Sequence, residues 1–151
     1  MSAWIYIIFF HGRSFPYLDN FFWSNKVVFE KKYHFNENKE EIKKQVCVLL
    51  PARNESKTII KTLTSIMNQK SISLEVIVIN DQSNDGTGII AEKTFKKYKF
   101  KNYKIIDGEN LPNGWSGKIW ALNQGMNEAL KNEKNDYVLL LDADIIIEHD
   151  L

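Results

Sequence analysis

Four short aliphatic runs constrain this chain more than anything else in it: VCVLL (46–50), EVIVI (75–79), YKII (103–106) and YVLLL (137–141). The first two are continuous rather than alternating, which suits strands buried on both faces, and the other two read as a third and a fourth short strand. Helical spacing fills the intervals. Ile59, Ile60, Leu63, Ile66 and Met67 recur at that spacing after the first run, with Asn54 or Ser56 placed to cap the start. A second helix is expected from Thr87, with Ala91, Phe95 and Tyr98 on one face. A third is expected from about Lys118, with Ile119, Leu122, Met126 and Leu130 inward. Strands and helices alternating in this way predict an α/β fold, a mostly parallel sheet with flanking helices. The strand order stays open at this level.

A chain of 151 residues suits one domain. With 44% hydrophobic and 26% charged residues it has the balance of a globular protein, not a disordered one. A net charge of +1 provides no global field to recruit nucleic acid, so no nucleic-acid partner is expected. The lone cysteine, Cys47, lies inside VCVLL. It permits no internal disulfide and no Cys/His metal cluster, and reads as a buried, inert thiol in a reducing compartment.

The N-terminus differs in character. AWIYIIFF (3–10) is apolar, about half the length a helix needs to cross a bilayer, and an aromatic stretch follows it. No Lys or Arg precedes it and no small-residue cleavage site follows, so a signal peptide is not expected. Two readings stay open for residues 1–23: a membrane anchor, or a hydrophobic flap on the domain. NENKEEIKKQ (36–45) reads as a polar linker, dividing an N-terminal segment (1–45) from a domain spanning 46–151.

The polar residues collect where the runs end: PARNE, NDQSNDGT, DGENLPNGWSGK and DAD follow the four in turn. In open parallel α/β sheets, ligands bind beyond these carboxyl ends. If the last strand continues through Asp144, Asp142 and Asp144 point the same way and Ala143 the other. Two such carboxylates repel unless something positive lies beside them. An oxygen-only pair suits Mg2+ or Mn2+, which would keep waters and take phosphate oxygens into its shell. The plainer alternative is one helix-capping and one solvated aspartate.

Asp81 can accept hydrogen bonds from a base or a ribose, or it can open the loop as an Asx turn. Asp85, Gly86 and Thr87 read as a turn and a helix cap. Arg53 and Glu55 sit on the expected rim, after a Pro51 that is expected to end the strand. Glu55 would also favour a first helical turn as a charge. Lys118 opens a helix after Gly117, within reach of a diphosphate or simply on the surface. Trp115 and Trp120 flank it, as stacking platforms or as core plugs.

Taken in order, VLLPARNESKTIIKTLTSI, EVIVINDQSNDGT and YVLLLDADI resemble the family 2 glycosyltransferases with the GT-A, Rossmann-like nucleotide-sugar-binding fold. LPNGWSGKIWALNQG and the apolar N-terminus resemble the hopene-associated (hopanoid biosynthesis) subgroup. The resemblance implies that Pro51, Arg53 and Glu55 hold the base and ribose, and that Asp81 reads the base. It makes Asp144 the direct metal ligand, with Asp142 nearer the ribose or a metal-bound water, and Mg2+ or Mn2+ the cofactor. It implies inverting transfer from a UDP- or GDP-linked sugar to an acceptor, a lipid in the subgroup, at the cytoplasmic face of the membrane. Asn80 stands where many members carry a first aspartate. The family's general base lies well downstream of D-x-D, past residue 151, so the chain is expected to be a donor-binding half that is inactive alone. Two rivals remain beside this reading. One is a non-catalytic nucleotide-binding fragment. The other is a haloacid-dehalogenase-type phosphatase, whose D-x-D usually follows an early strand and in which PARNE has no place.

Overall fold

In the computed structural model, residues 6–9 are described by their backbone, and residues 44–70 and 72–148 in full. Five strands form one sheet: β1 (Tyr6–Phe9), β2 (Gln45–Ala52), β3 (Ser73–Asn80), β4 (Tyr103–Asp107) and β5 (Tyr137–Leu140). Among the described residues three helices flank it: α1 (Ile59–Met67), α2 (Thr87–Lys97) and α3 (Gly117–Ala129). The strand order is β1-β5-β2-β3-β4, with β2 to β5 mutually parallel and β1 antiparallel on β5. The expected mostly parallel α/β architecture is therefore present.

Period-two geometry sorts the aliphatic runs between two cores. Val48, Leu50, Val76 and Val78 face one side, where Ile59, Leu63 and Ile66 of α1 and Ala91 and Phe95 of α2 cover them. Cys47, Leu49, Ile77 and Ile79 face the other, under Ala121, Leu122, Met126 and Ala129 of α3. Both faces are buried, so the runs have no polar alternation. Gly125 lets α3 ride close, since a Cβ there would stand 2.7 Å from Ile79 Cδ1.

Several details differ from the sequence reading. Ile60 is 47% exposed, and the inward stripe of α1 is Ile59, Thr62, Leu63, Ser65 and Ile66. Tyr98 and Leu130 stand at the C-caps of α2 and α3, where the helices end, and both are exposed. Neither Asn54 nor Ser56 caps α1. Thr58 holds the N-cap position, while Asn54 takes a left-handed backbone (φ 57°) and Ser56 is bonded to the loop after β3.

Pro51 does not end its strand either, because β2 stays in register with β3 through Ala52 opposite Asn80. A residue's N–H and C=O point to the same neighbour, alternating along the strand. The carbonyl of Leu49 accepts from Leu141 on the β5 side, and that of Ala52 from Asp81 on the β3 side. Pro51, two residues on from Leu49, therefore aims its missing donor at β5, where the next rung would run to the Leu141 carbonyl; without it the β2–β5 ladder stops at Leu140 while the β3 side continues.

Cys47 is fully buried. Burial, and after it the nearby Glu75 carboxylate, push its thiol up to about 12. Thiolate is the reactive form, so Cys47 should resist a thiol reagent at pH 8 in the native protein and react only on unfolding. Rapid stoichiometric labelling without denaturant would refute the packing described here.

Tyr6–Phe9, from the apolar N-terminal run, pair with β5, Tyr6 opposite Leu140 and Phe9 opposite Tyr137. Among the described residues no helix is long and apolar enough to cross a membrane. The remainder of the expected anchor segment, and the expected linker up to residue 43, lie outside the described residues.

Candidate functional site

The strand order locates the site. From β2 the chain steps outward to β3 and β4, then returns to lay β5 on the other side of β2. α1 and α2 lie on one face and α3 crosses back on the other. The carboxyl ends of β2 and β5 thus flank the topological switch point, where open α/β sheets hold ligands. A cavity of about 370 Å3 opens there. Pro51, Arg53 and Glu55 line it from the end of β2, Asp81 from the end of β3, and Lys118 from the first turn of α3. Asp142 and Asp144 line it from beyond β5. All seven residues singled out in the sequence border one cavity, with Ala52, Gly117, Ala121 and Ala143 completing the wall.

Side-chain bonds to backbone, rather than strand pairing, hold the loops around this cavity. Glu55 donates its N–H to Thr87 Oγ1 (2.8 Å), Ser56 to Asp85 Oδ2 (3.0 Å) and Asn54 to Ser83 Oγ (3.1 Å). In return Asn84 donates its N–H to Asn54 Oδ1 (3.0 Å). Asp85 also accepts from the Thr87 N–H and hydroxyl. The Thr87 hydroxyl bond first, and the Ser56 and Thr87 N–H bonds after it, hold the Asp85 carboxyl well below the usual carboxylate range. Gly86 takes the left-handed conformation (φ 84°) that lets Asp85 reach forward to Thr87. The third loop joins through Gln82, whose Nε2 donates to the Glu109 carbonyl (3.3 Å). Gly108 packs on the backbone of Asp81, where an added Cβ would come within 3.1 Å of its Cα.

The strand does not run on through Asp144. β5 ends at Leu140, and a turn follows in which the Ile145 N–H donates to the Asp142 carbonyl (3.2 Å). Ala143 is buried, 4% exposed, and packs into the core facing α1 while also bordering the cavity between the two aspartates that line it. The positive charge that a carboxylate pair requires is present as well. Lys118 Nζ stands 2.6 Å from Asp142 Oδ1. Arg53 lies 3.7 Å from the largely buried Asp81 carboxylate. Four carboxylates (Glu55, Asp81, Asp142, Asp144) against two cations (Arg53, Lys118) leave the cavity wall two negative charges in excess.

That donor set fits a hard divalent ion. Only oxygens are offered, and the excess charge matches. Among the described residues no cluster of three or more His, Cys, Asp or Glu side chains forms a complete metal cage. An ion held by two carboxylates and completed by water and phosphate needs none.

Three other residues flagged in the sequence behave differently. Trp115 and Trp120 meet edge to face, centroids 5.2 Å apart, and do not line the cavity. Asn80 turns away from Asp81, donating to Asp107 Oδ1 (2.9 Å) and lying against Gly88 of α2. An aspartate at position 80 would face a second carboxylate there, and the amide avoids that repulsion. A larger open recess of about 700 Å3, between α1 and residues 146–148, is lined by Ile60, Thr64, Asn68 and Ile147 among others. It gathers no comparable set of converging charges.

The sequence profile described as "Glycosyl transferase family 2" matches residues 47–151. The chain belongs to glycosyltransferase family 2. This family 2 domain is 38% identical over 112 residues to the "Probable glycosyltransferase YdaM" of Bacillus subtilis (strain 168), covering 73% of this chain and 25% of that protein. It is 39% identical over 106 residues to the poly-beta-1,6-N-acetyl-D-glucosamine synthase of Staphylococcus aureus (strain COL), covering 70% and 23%. The chain thus spans about a quarter of the length of these curated relatives. Among solved structures it resembles S. aureus TarS 1-349 (29% identity, TM-score 0.52, 69% of this chain and 28% of that one). The mannosyltransferase PcManGT of Pyrobaculum calidifontis, solved with GDP-Man and Mn2+, shares the fold (23% identity, TM-score 0.55, 76% and 32%). The GT-A, Rossmann-like architecture expected from the sequence is thereby established for this glycosyltransferase domain.

Sequence reasoning passed over one group on the buried stripe of α1 and just past its end: Thr62, Ser65 and Gln69. Polar residues at inward positions of an amphipathic helix were the available signal. Their partners, in the segment after β5, become visible only in three dimensions.

Proposed function

We propose that this domain is the donor-binding half of a metal-dependent transferase that takes a sugar from a UDP- or GDP-linked donor. The observation that carries the reading is the convergence of three strand ends (β2, β3 and β5) and the start of α3 on one cavity at the switch point, with net negative walls and oxygen donors only. In this reading the Asp81 carboxylate accepts from ring N–H groups of the base, with Arg53 as its neutralising neighbour. Pro51 and Glu55 border the base and ribose. Asp142 and Asp144 hold Mg2+ or Mn2+, with Asp144 the direct ligand. Lys118 leaves Asp142 and turns its ammonium to the diphosphate. When bound, the ion supplies Lewis-acid stabilisation of the charge that develops on the diphosphate leaving group.

The finer assignments rest on family resemblance. They are inverting displacement, a lipid acceptor by association with the hopene-associated subgroup that residues 111–125 resemble, and work at the cytoplasmic membrane face. Catalysis by the whole protein also calls for a general base and an acceptor site, which the resemblance assigns to sequence downstream of D-x-D. For the 151-residue chain we therefore expect donor-nucleotide binding without turnover.

Calorimetric titration of this chain with UDP and with GDP, in Mn2+ and then in EDTA, tests the core of the proposal. Binding of at least one nucleotide with Mn2+, lost on chelation, is the expected result. No binding of either nucleotide, or binding indifferent to the metal, would defeat it. Phosphate release from a phosphomonoester would instead favour the phosphatase rival.

A further inference from the structure

The two aspartates sit on a segment that no strand pairing among the described residues holds. β5 stops at Leu140, and beyond the Leu141 N–H bond to Leu49 the backbone leaves the sheet. α1 takes over from there. Thr62 Oγ1 donates to the Ala143 carbonyl at 2.8 Å, directly between Asp142 and Asp144. Ser65 Oγ accepts the Ile147 N–H at 3.1 Å and donates to the Thr62 carbonyl at 2.8 Å. Gln69 Nε2 donates to the Glu148 carbonyl at 2.8 Å. Three polar side chains on one line thus fasten three backbone positions from residue 143 to residue 148.

Their cost shows that they have a purpose other than burial. Thr62 is fully buried and stands among Ile59, Leu63 and Ile66. An unpaired hydroxyl in such surroundings is expensive, and a paired one adds little net stability over an aliphatic side chain. What the pair does supply is direction. The carbonyl it fixes belongs to the one residue whose backbone sets where both neighbouring carboxylates start.

We propose that Thr62, supported by Ser65 and Gln69, is a positioning residue for the metal-binding carboxylates, registering Asp142 and Asp144 from the far side of the β5 terminus. The proposal rests on the donor-nucleotide reading above. Thr62 itself lies in the core and outside the cavity lining, so it acts through Ala143. Supporting groups of this kind tune metal affinity without touching the ion.

The test uses the full 151-residue chain and whichever of UDP or GDP it binds more tightly. Mn2+ titrations at fixed nucleotide are compared for wild type, Thr62→Val, Thr62→Ser and Ile66→Val. Thr62→Val keeps the shape and removes the donor. It should weaken the apparent Mn2+ affinity roughly tenfold to a hundredfold, leaving any nucleotide binding in EDTA unchanged. Thr62→Ser, which keeps the hydroxyl, should restore most of the loss. Ile66→Val thins the same helix face, so it should lower the melting temperature without moving the Mn2+ titration.

Wild-type Mn2+ affinity in Thr62→Val, or an equal loss in Ile66→Val, would overturn the proposal. Should Thr62→Val fail to fold, Ser65→Ala takes its place: a weaker Mn2+ affinity supports the proposal, and an unchanged one overturns it. If wild type binds neither nucleotide with Mn2+, the donor reading falls and takes this inference with it. If wild type binds and the variants match it, only this inference falls.

Discussion

Replacing Asp144 by Ala is expected to lower Mn2+-dependent nucleotide affinity by about a hundredfold or more, with thermal stability close to wild type. Loss of a ligand should exceed the roughly tenfold to hundredfold loss typical of groups that merely support one. The chain offers two carboxylates at the β5 terminus, and removing one halves what the protein gives a hard ion. The fold should hardly notice, because Asp144 is exposed and surface changes away from caps and cores usually stay within about 0.5 kcal/mol. Asp142→Ala should act differently: it also releases Lys118 from its 2.6 Å partner. That pair is half exposed, so the stability lost with it should stay under about 1 kcal/mol. Calorimetry of both variants beside wild type is the measurement. An Asp144→Ala protein that titrates like wild type would remove the metal assignment at once.

The largest effect on stability is expected from Phe95→Ala. Phe95 is fully buried in α2, stacked on Tyr103 of β4 at 4.1 Å between centroids and on Phe100 at 5.8 Å. Truncating a buried phenylalanine costs about 3–5 kcal/mol, the lost transfer energy plus the cavity left behind. Against a total of about 5–15 kcal/mol for an ordinary domain, that is a large share. The denaturant midpoint should fall steeply in an equilibrium unfolding curve, and a loss below about 1 kcal/mol would contradict the packing. α2 begins at Thr87, whose hydroxyl holds Glu55, so the variant also asks whether rim geometry survives a loosened helix.

Much of this domain was legible before any coordinates. The four aliphatic runs became β2 to β5: in β2 and β3 burial on both faces leaves no room for polar alternation, whereas β4, at the sheet edge, exposes Lys104. That these seven residues would gather was legible because polar groups crowd the ends of those runs, and all seven line one cavity. The strand order was not. Nothing local in YVLLL states that it will lie beside β2 rather than beyond β4, and it is this return that makes the cleft. The apolar stripes in the sequence run one or two residues wider than the faces the helices bury. Ile60, Tyr98 and Leu130 are apolar at helical spacing, yet the sheet covers a narrower arc and helices α2 and α3 stop short. Pro51 misled for a different reason. Proline breaks a strand only where its missing donor is wanted, and which side wants it depends on the neighbour. Thr62 and Ser65 went unremarked because a small hydroxyl on a helix is ordinary until its partner 81 or 82 residues away is known.

The placement of β1 has one further consequence. By lying along β5, Tyr6–Phe9 occupy the backbone amides and carbonyls on the flank of the strand that leads to the carboxylate pair. Among the described residues only β1 lies along that flank, so a version of the chain trimmed past Phe9 offers a template on which another copy's strand can add itself. Shortening this protein from the front for convenience in handling therefore invites self-association at the very strand whose tip bears Asp142 and Asp144.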